Sequence, residues 1–248
     1  MVQYWCTSMS NPIVTDIAIK SNESRLRSSV IALPRKQKII GYFSMVTQFL
    51  TWPIAWAFFH SFYKVEITGQ ENLKKIKSTF MIISNHVASY DSFAYRLVLG
   101  FFTPHLPLRF MAVEEFNYWY LNFFMRIGVL KVLYALFGVF VVIPGRGVED
   151  NLKTAIDIIA HGGNVVIYPE GKIVKKDSVA EFKRGAAVLA MNCQVPVLPT
   201  SFRISGEEGR AKKMLTVNIG EPLWLPENMN EENVTQIFYN SVVNLYNK

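Results

Sequence analysis

Phe80-Met81-Ile82-Ile83-Ser84-Asn85-His86-Val87-Ala88-Ser89-Tyr90-Asp91 is the stretch on which the fold turns. Its first four residues are apolar, continuous and partly β-branched, the pattern of a strand buried on both faces. Polar residues begin where such a strand emerges at its C-terminal edge, which is where open α/β sheets carry their sites. Asp91 stands five residues beyond His86. A histidine placed there can act as a general base, and a nearby carboxylate can hold its tautomer and stabilise the imidazolium. A His and an Asp this close also arise by chance, as caps or core groups, so the pair gains weight only from the rest of the chain.

Strand and helix signals alternate on both sides of this stretch. Lys64 to Gly69 alternates and ends at glycine, a short strand, and Glu71 to Lys77 reads as a short helix or turn. Ser92 to Leu99 is helix-like and stops at Gly100 and Pro104. Leu108 to Val113 is a further strand, followed by a segment rich in aromatics from Phe116 to Phe124. Phe140 to Ile143 leads into Pro144-Gly145-Arg146-Gly147, and Val165 to Tyr168 leads into Pro169-Glu170-Gly171. Between them, Glu149 to Ala160 carries apolar residues at amphipathic helical spacing. A helix is expected over Glu181 to Cys193, strands over Val195 to Pro199 and Met214 to Ile219, and a last helix over Glu231 to Tyr246. The pattern predicts an α/β fold with a mostly parallel central sheet flanked by helices. In such a sheet the polar ends at Asn85-His86, Arg146 and Glu170-Gly171 fall on one edge and could converge.

The 248 residues divide into a polar and basic segment, 1–37, a hydrophobic segment, 38–63, and the α/β domain, 64–248. From Ile39 to Tyr63 there is no Asp, Glu, Lys or Arg. A helix of about 25 residues would measure roughly 37 Å, enough for a bilayer core of ~30 Å. Pro53 would split it, however, and Trp52 and Trp56 suit the headgroup level rather than the bilayer centre. Two shorter helices dipping into one leaflet are therefore preferred over a clean span, with a buried core helix as the alternative. Basic residues before the segment place it, and the active site, on the cytoplasmic side. The net charge of +7 and a mean hydropathy of +0.18 suit an anionic lipid surface better than nucleic acid. Cys6 and Cys193 alone make neither a disulfide framework nor a metal-ligand spacing.

Taken together, Asn85-His86-x-x-x-x-Asp91, Arg146 after a strand, Tyr168-Pro169-Glu170-Gly171 and Val195-Pro196-Val197-Leu198-Pro199 resemble the four blocks of the glycerolipid acyltransferases. That family includes the 1-acylglycerol-3-phosphate acyltransferases, and the resemblance spans roughly residues 65–220. It implies a membrane-bound enzyme, anchored by N-terminal helices, that moves a fatty acyl group from acyl-CoA or acyl-carrier protein to the hydroxyl of lysophosphatidate. His86 is then the base and Asp91 its orienting partner, with no metal, no cofactor and no covalent acyl-enzyme. Arg146 would bind the acceptor phosphate, Asn85, Glu170, Gly171 and Lys172 would serve the acceptor site, and Pro196 and Pro199 would lie toward the donor. Ile173 and Val113 stand where the family often has basic residues, and the second block reads Ile143-Pro144-Gly145-Arg146. Those departures leave another lysolipid or an amino-acid lipid as an acceptor, and an inactive lipid-binding relative as the reading from a different class. No G-x-S-x-G or H-E-x-x-H motif supports a serine hydrolase or a zinc enzyme.

Overall fold

In the computed structural model of the chain, seven strands form one sheet: β1 (Tyr63–Thr68), β2 (Met81–Ser84), β3 (Leu108–Val113), β4 (Val139–Val142), β5 (Asn164–Ile167), β6 (Val197–Ser205) and β7 (Lys213–Ile219). The structure describes residues 35–113, 119–143, 147–174, 178–206, 212–226 and 228–248. All of these lie in the unit Leu33–Lys248. The strand order is β1-β7-β6-β2-β5-β3-β4, and β6, β2, β5, β3 and β4 run parallel. β7 is antiparallel to β6, and β1 is parallel to β7, so these two run against the other five.

Sequence pattern and position in the sheet agree. β2, flanked on both sides, is buried at every residue, whereas edge strand β1 alternates between half-buried and exposed. Side chains along a strand point to opposite faces. Accordingly Ile82 joins a core with α2 (Trp52–Phe62) and α3 (Asp91–Leu99), through Phe59, Tyr95 and Val98. Met81 and Ile83 join a second core with α6 (Val148–Ala160), α7 (Gly185–Cys193) and α8 (Glu231–Tyr246), through Ile158, Leu189 and Phe238. The remaining helices are α1 (Arg35–Leu50), α4 (Trp119–Arg126) and α5 (Val129–Phe137).

The helix expected from Glu181 starts at Gly185 instead. The backbone before it has other partners: Ala180 N–H donates to the Glu170 carboxylate, and Lys183 N–H donates to the Pro169 carbonyl. Residues 178–184 thus lie as a strap over the turn that ends β5.

The hydrophobic N-terminal segment is two helices meeting at Thr51, with Pro53 in the first turn of the second, where a proline costs no hydrogen bond. Each has an inward and an outward face. Gln48 is buried and binds both the N–H and the carbonyl of Leu108, and also the Phe137 carbonyl, which ties α1 to β3 and α5. Ala55 and Phe59 of α2 are fully buried, while Leu50, Ile54 and Phe62 are each more than 60% exposed. Among the described residues, no helix is long and apolar enough to cross a membrane.

Candidate active site

β2 and β5 are neighbours, and the loops leaving their C-terminal ends build the site. Asn85, the first residue after β2, is fully buried. Its amide donates to the Phe202 carbonyl and accepts from the Phe202 N–H, both at 2.8 Å, which pins the start of the loop to β6. His86 follows. Its Nδ1 lies 3.0 Å from Asp91 Oδ2, and the same oxygen accepts the backbone N–H of Val87 at 2.8 Å and of Ala88 at 2.9 Å. Asp91 is the first residue of α3, so its carboxylate also sits at the positive end of a helix. One carboxylate therefore shapes the loop that leads into the helix and orients the imidazole. With Nδ1–H donating to Asp91, the lone pair is on Nε2. The histidine side chain is 19% exposed and that of the aspartate 1%, so the ring is partly open to solvent while its partner stays behind it.

The turn after β5 supports the histidine from the other side. Glu170 is buried; its Oε2 accepts the His86 N–H at 2.7 Å and its Oε1 the Ala180 N–H at 2.8 Å. Burial holds this carboxyl above its ordinary value, against the opposing pull of the two amide donors and of His86. The Val174 N–H donates to the His86 carbonyl, so the two loops are joined twice. The Tyr168 ring stacks on the imidazole, 4.1 Å between centroids and 18° between planes. Its hydroxyl lies 3.2 Å from Ser92 Oγ, and burial raises its pKa well above the usual tyrosine value, which keeps it neutral. Gly171 has φ +66, and a Cβ there would come within 2.7 Å of Lys183 Nζ. The glycine thus permits both the left-handed turn and the approach of a lysine.

Of the residues singled out from the sequence, His86, Asp91, Asn85, Glu170 and Gly171 are brought together here. Asn85 and Glu170 stand behind the histidine, with their polar atoms bound to backbone groups. Lys172 and Ile173 are exposed on the loop that leaves Gly171. Arg146 lies outside the described residues. Its strand, β4, ends on the same edge but three strand positions from β2, a lateral distance of about 14 Å. Pro199 is paired with Ile83 in the β6–β2 ladder, and the Pro196 carbonyl accepts the Met81 N–H. Sequence reasoning gave Tyr168 only a place in the Tyr-Pro-Glu-Gly motif and Lys183 only a place in a basic loop able to hold a phosphate. The adjacent Pro-Glu-Gly drew attention to the turn, but ring stacking and the return of the strap over Gly171 are tertiary events.

Beside the loop from β2 to α3 is a cavity of about 400 Å³. Ser89, Tyr90 and Ser92 line it near the loop, and Leu108, Phe110, Leu130, Leu133 and Phe137 make most of its far walls. Polar residues of the loop thus adjoin a chamber whose other walls are largely apolar, the make-up of a small-molecule pocket.

Fold and site together define an α/β enzyme with a His–Asp pair on a sheet edge. The sequence profile of the Acyltransferase family matches residues 64–203, and the chain belongs to that family. Among curated relatives, a chloroplastic 1-acyl-sn-glycerol-3-phosphate acyltransferase of Brassica napus is 27% identical over 148 residues, 60% of this chain and 40% of that protein. A probable 1-acyl-sn-glycerol-3-phosphate acyltransferase of Mycoplasma pneumoniae is 28% identical over 154 residues, 61% of this chain and 54% of its own length. The chain thus spans about half the length, or less, of the curated relatives it matches. The crystal structure of the 1-acyl-sn-glycerophosphate (LPA) acyltransferase PlsC from Thermotoga maritima superposes with a TM-score of 0.50 at 20% identity, covering 92% of this chain and 89% of that one. That likeness concerns the fold.

Proposed function

We propose that this protein is a membrane-associated O-acyltransferase that moves a fatty acyl group from an acyl thioester, acyl-CoA or acyl-carrier protein, to the free hydroxyl of lysophosphatidate, forming phosphatidate. The observation that carries the reading is the His86–Asp91 contact at 3.0 Å, with the histidine partly exposed and the aspartate buried. His86 Nε2 takes the proton of the acceptor hydroxyl as its oxygen attacks the thioester carbonyl. Collapse of the tetrahedral intermediate expels the thiolate, which takes the proton back from the imidazolium. Asp91 keeps the ring in the required tautomer and offsets its transient charge. Tyr168, neutral and stacked on the ring, holds its plane. Asn85 and Glu170 position the loop, the cavity accepts an acyl chain, and Arg146 binds the acceptor phosphate. The names of the curated relatives support lysophosphatidate as acceptor.

The membrane part of the reading is supported by the outward faces of α1, α2, α4 and α5. Tyr42, Phe43, Trp56, Trp119 and Phe123 are all exposed there, and α5 packs against both α1 and α4. Aromatic and aliphatic groups in this density on one group of helices suit the headgroup and upper acyl region of a bilayer. Residues 38–63 would then lie in one leaflet with the α/β domain, 64–248, in the cytoplasm. One feature favours a different acceptor: Ile173, where the family often has a basic residue, is exposed on the loop beyond Gly171.

The test incubates the purified chain in detergent with radiolabelled acyl-CoA, or acyl-carrier protein, and a panel of lysolipids, with His86→Ala as control. Transfer to lysophosphatidate that vanishes in the variant is expected. Equal product from variant and parent refutes the histidine mechanism. Transfer to an uncharged lysolipid at equal rate removes the phosphate from the reading. Protease accessibility in sealed vesicles then reports which side of the membrane carries the domain.

A further inference from the structure

Arg96 is an exception to the way the described residues satisfy their buried polar groups. It is 4% exposed, and Nε, Nη1 and Nη2 are all buried without a hydrogen-bond partner. Gln48, on the wall of the same cavity, has both ends of its amide bound to backbone groups. Arg109, equally buried, donates from Nε to the Gly138 carbonyl. Arg96 stands on the cavity wall with Ser92, Phe93 and Leu99, which occupy one face of α3 at helical spacing. Among the described residues that line this cavity there is no carboxylate. The two nearest along the chain's catalytic loops are committed elsewhere: Asp91 Oδ2 accepts three N–H groups and both Glu170 oxygens accept backbone N–H groups. Burial without a counter-charge lowers the Arg96 pKa.

An uncompensated guanidinium inside an apolar chamber is unfavourable until an anion meets it. Its planar fork matches a carboxylate in a bidentate pair, and a single negative charge cancels its own. A phosphate monoester would bring a charge of about −1.5 to −2, more than one arginine offsets. The leucine and phenylalanine walls demand that the rest of the ligand be hydrocarbon. We propose that this cavity binds an unesterified long-chain carboxylate, a free fatty acid, with its carboxylate on Arg96 and its chain along the walls of α5 and β3. This is a ligand distinct from the thioester and the lysolipid, and its binding does not depend on the acceptor being lysophosphatidate. Where the cavity also receives an acyl chain during transfer, the fatty acid would compete with it.

The experiment measures binding of radiolabelled hexadecanoate to the purified full chain in detergent by spin-column separation. Unlabelled hexadecanoate, hexadecan-1-ol and 1-hexadecanoyl-lysophosphatidate serve as competitors. The acid should displace label about 10- to 100-fold more effectively than the alcohol of equal length, the contribution of a charge-assisted pair. In Arg96→Met, which keeps the length of the side chain without its charge, that preference should disappear while the alcohol's own affinity is retained. Arg96→Lys, which has the charge but not the fork, should fall between. Equal competition by acid and alcohol in the unaltered protein overturns the proposal without recourse to any variant. Lysophosphatidate displacing best, with Arg96→Met abolishing that advantage alone, also overturns it and makes Arg96 a phosphate ligand. An inactive preparation that still prefers the acid leaves this site standing while refuting the proposed activity.

Discussion

The loop from β2 to α3 and the N-terminal helices α1 and α2 invert each other. In the loop, Asn85, Asp91 and, from the facing turn, Glu170 are buried polar groups, each bound by backbone donors or acceptors. In the helices, Leu50, Ile54 and Phe62 are large apolar groups left more than 60% exposed. Burying a polar group without partners, or exposing apolar surface without a cover, is unfavourable in water. The loop resolves its side internally, by hydrogen-bonding Asn85, Asp91 and Glu170 to backbone groups. In the helices, among the described residues, these large apolar groups stay exposed. The polar edge is thus held in place by its own hydrogen bonds, while the helical face presents apolar side chains outward.

Substitutions separate the two regimes. The largest effect is expected from His86→Ala, which should lower the rate of acyl transfer by about 10²- to 10⁴-fold with an unchanged thermal unfolding curve. A variant of near-parental rate would remove the loop from catalysis and leave only its architecture. Next comes a contrast within α2. Phe59→Ala should destabilise the chain by about 3–5 kcal/mol in denaturant unfolding, because Phe59 is fully buried among Tyr63, Tyr90 and Phe93. If Phe59 can be cut away without loss, α2 is not part of the core.

Glu170→Gln should cost about 1–3 kcal/mol, because an amide cannot accept at both ends and leaves one of two backbone N–H groups facing another donor. It should also change the pH dependence of stability. Burial holds the Glu170 carboxyl above its ordinary 4.5, so above that value the folded chain retains a proton the unfolded chain has lost. The stability Glu170 contributes therefore falls as pH rises from 4.5 through its raised value, and unfolding midpoints of the glutamine variant should lose that slope. A slope unaltered by the substitution would assign the titration to another group. The smallest effect on the fold should come from Phe62→Ser, within about 0.5 kcal/mol of the parent because the ring is 61% exposed. Its partitioning onto anionic vesicles in a sedimentation assay should nevertheless fall, by up to the roughly 1.5–3 kcal/mol that a phenylalanine gains on burial. Unchanged partitioning would break the contrast between the two faces.

Much of this architecture is legible in the residues. Continuous apolar runs, as in Met81 to Ile83 and Val165 to Ile167, mark central strands because a parallel strand is covered on both faces, and alternation from Tyr63 to Thr68 marks an edge. The proline at 53 divides the hydrophobic segment for a local steric reason. The start of α7 was not legible, because residues 181–184 have helical propensity but the Ala180 and Lys183 N–H groups donate to Glu170 and Pro169 from another part of the sequence. Nor was the two-sided character of α1 and α2: Gln48 and Phe59 look like interruptions and repeats in an apolar run until β3, α5 and α3 supply what they touch.

The sequence by itself determined which groups are chemically able to act. His86 and Glu170 follow strand ends and Asp91 opens the next helix, and the periodicity around them compels a parallel sheet that gathers such ends on one edge. Tertiary structure alone decided their division of labour. Strand order put β5 beside β2, so Tyr168 stacks on His86 and Glu170 braces its backbone, while β4 ends three strand positions from β2. It likewise placed Arg96 on the wall of an apolar cavity without a partner. The reason is physical: identity and local spacing set what a side chain can bind, but desolvation and pairing depend on neighbours that only the folded chain brings within reach.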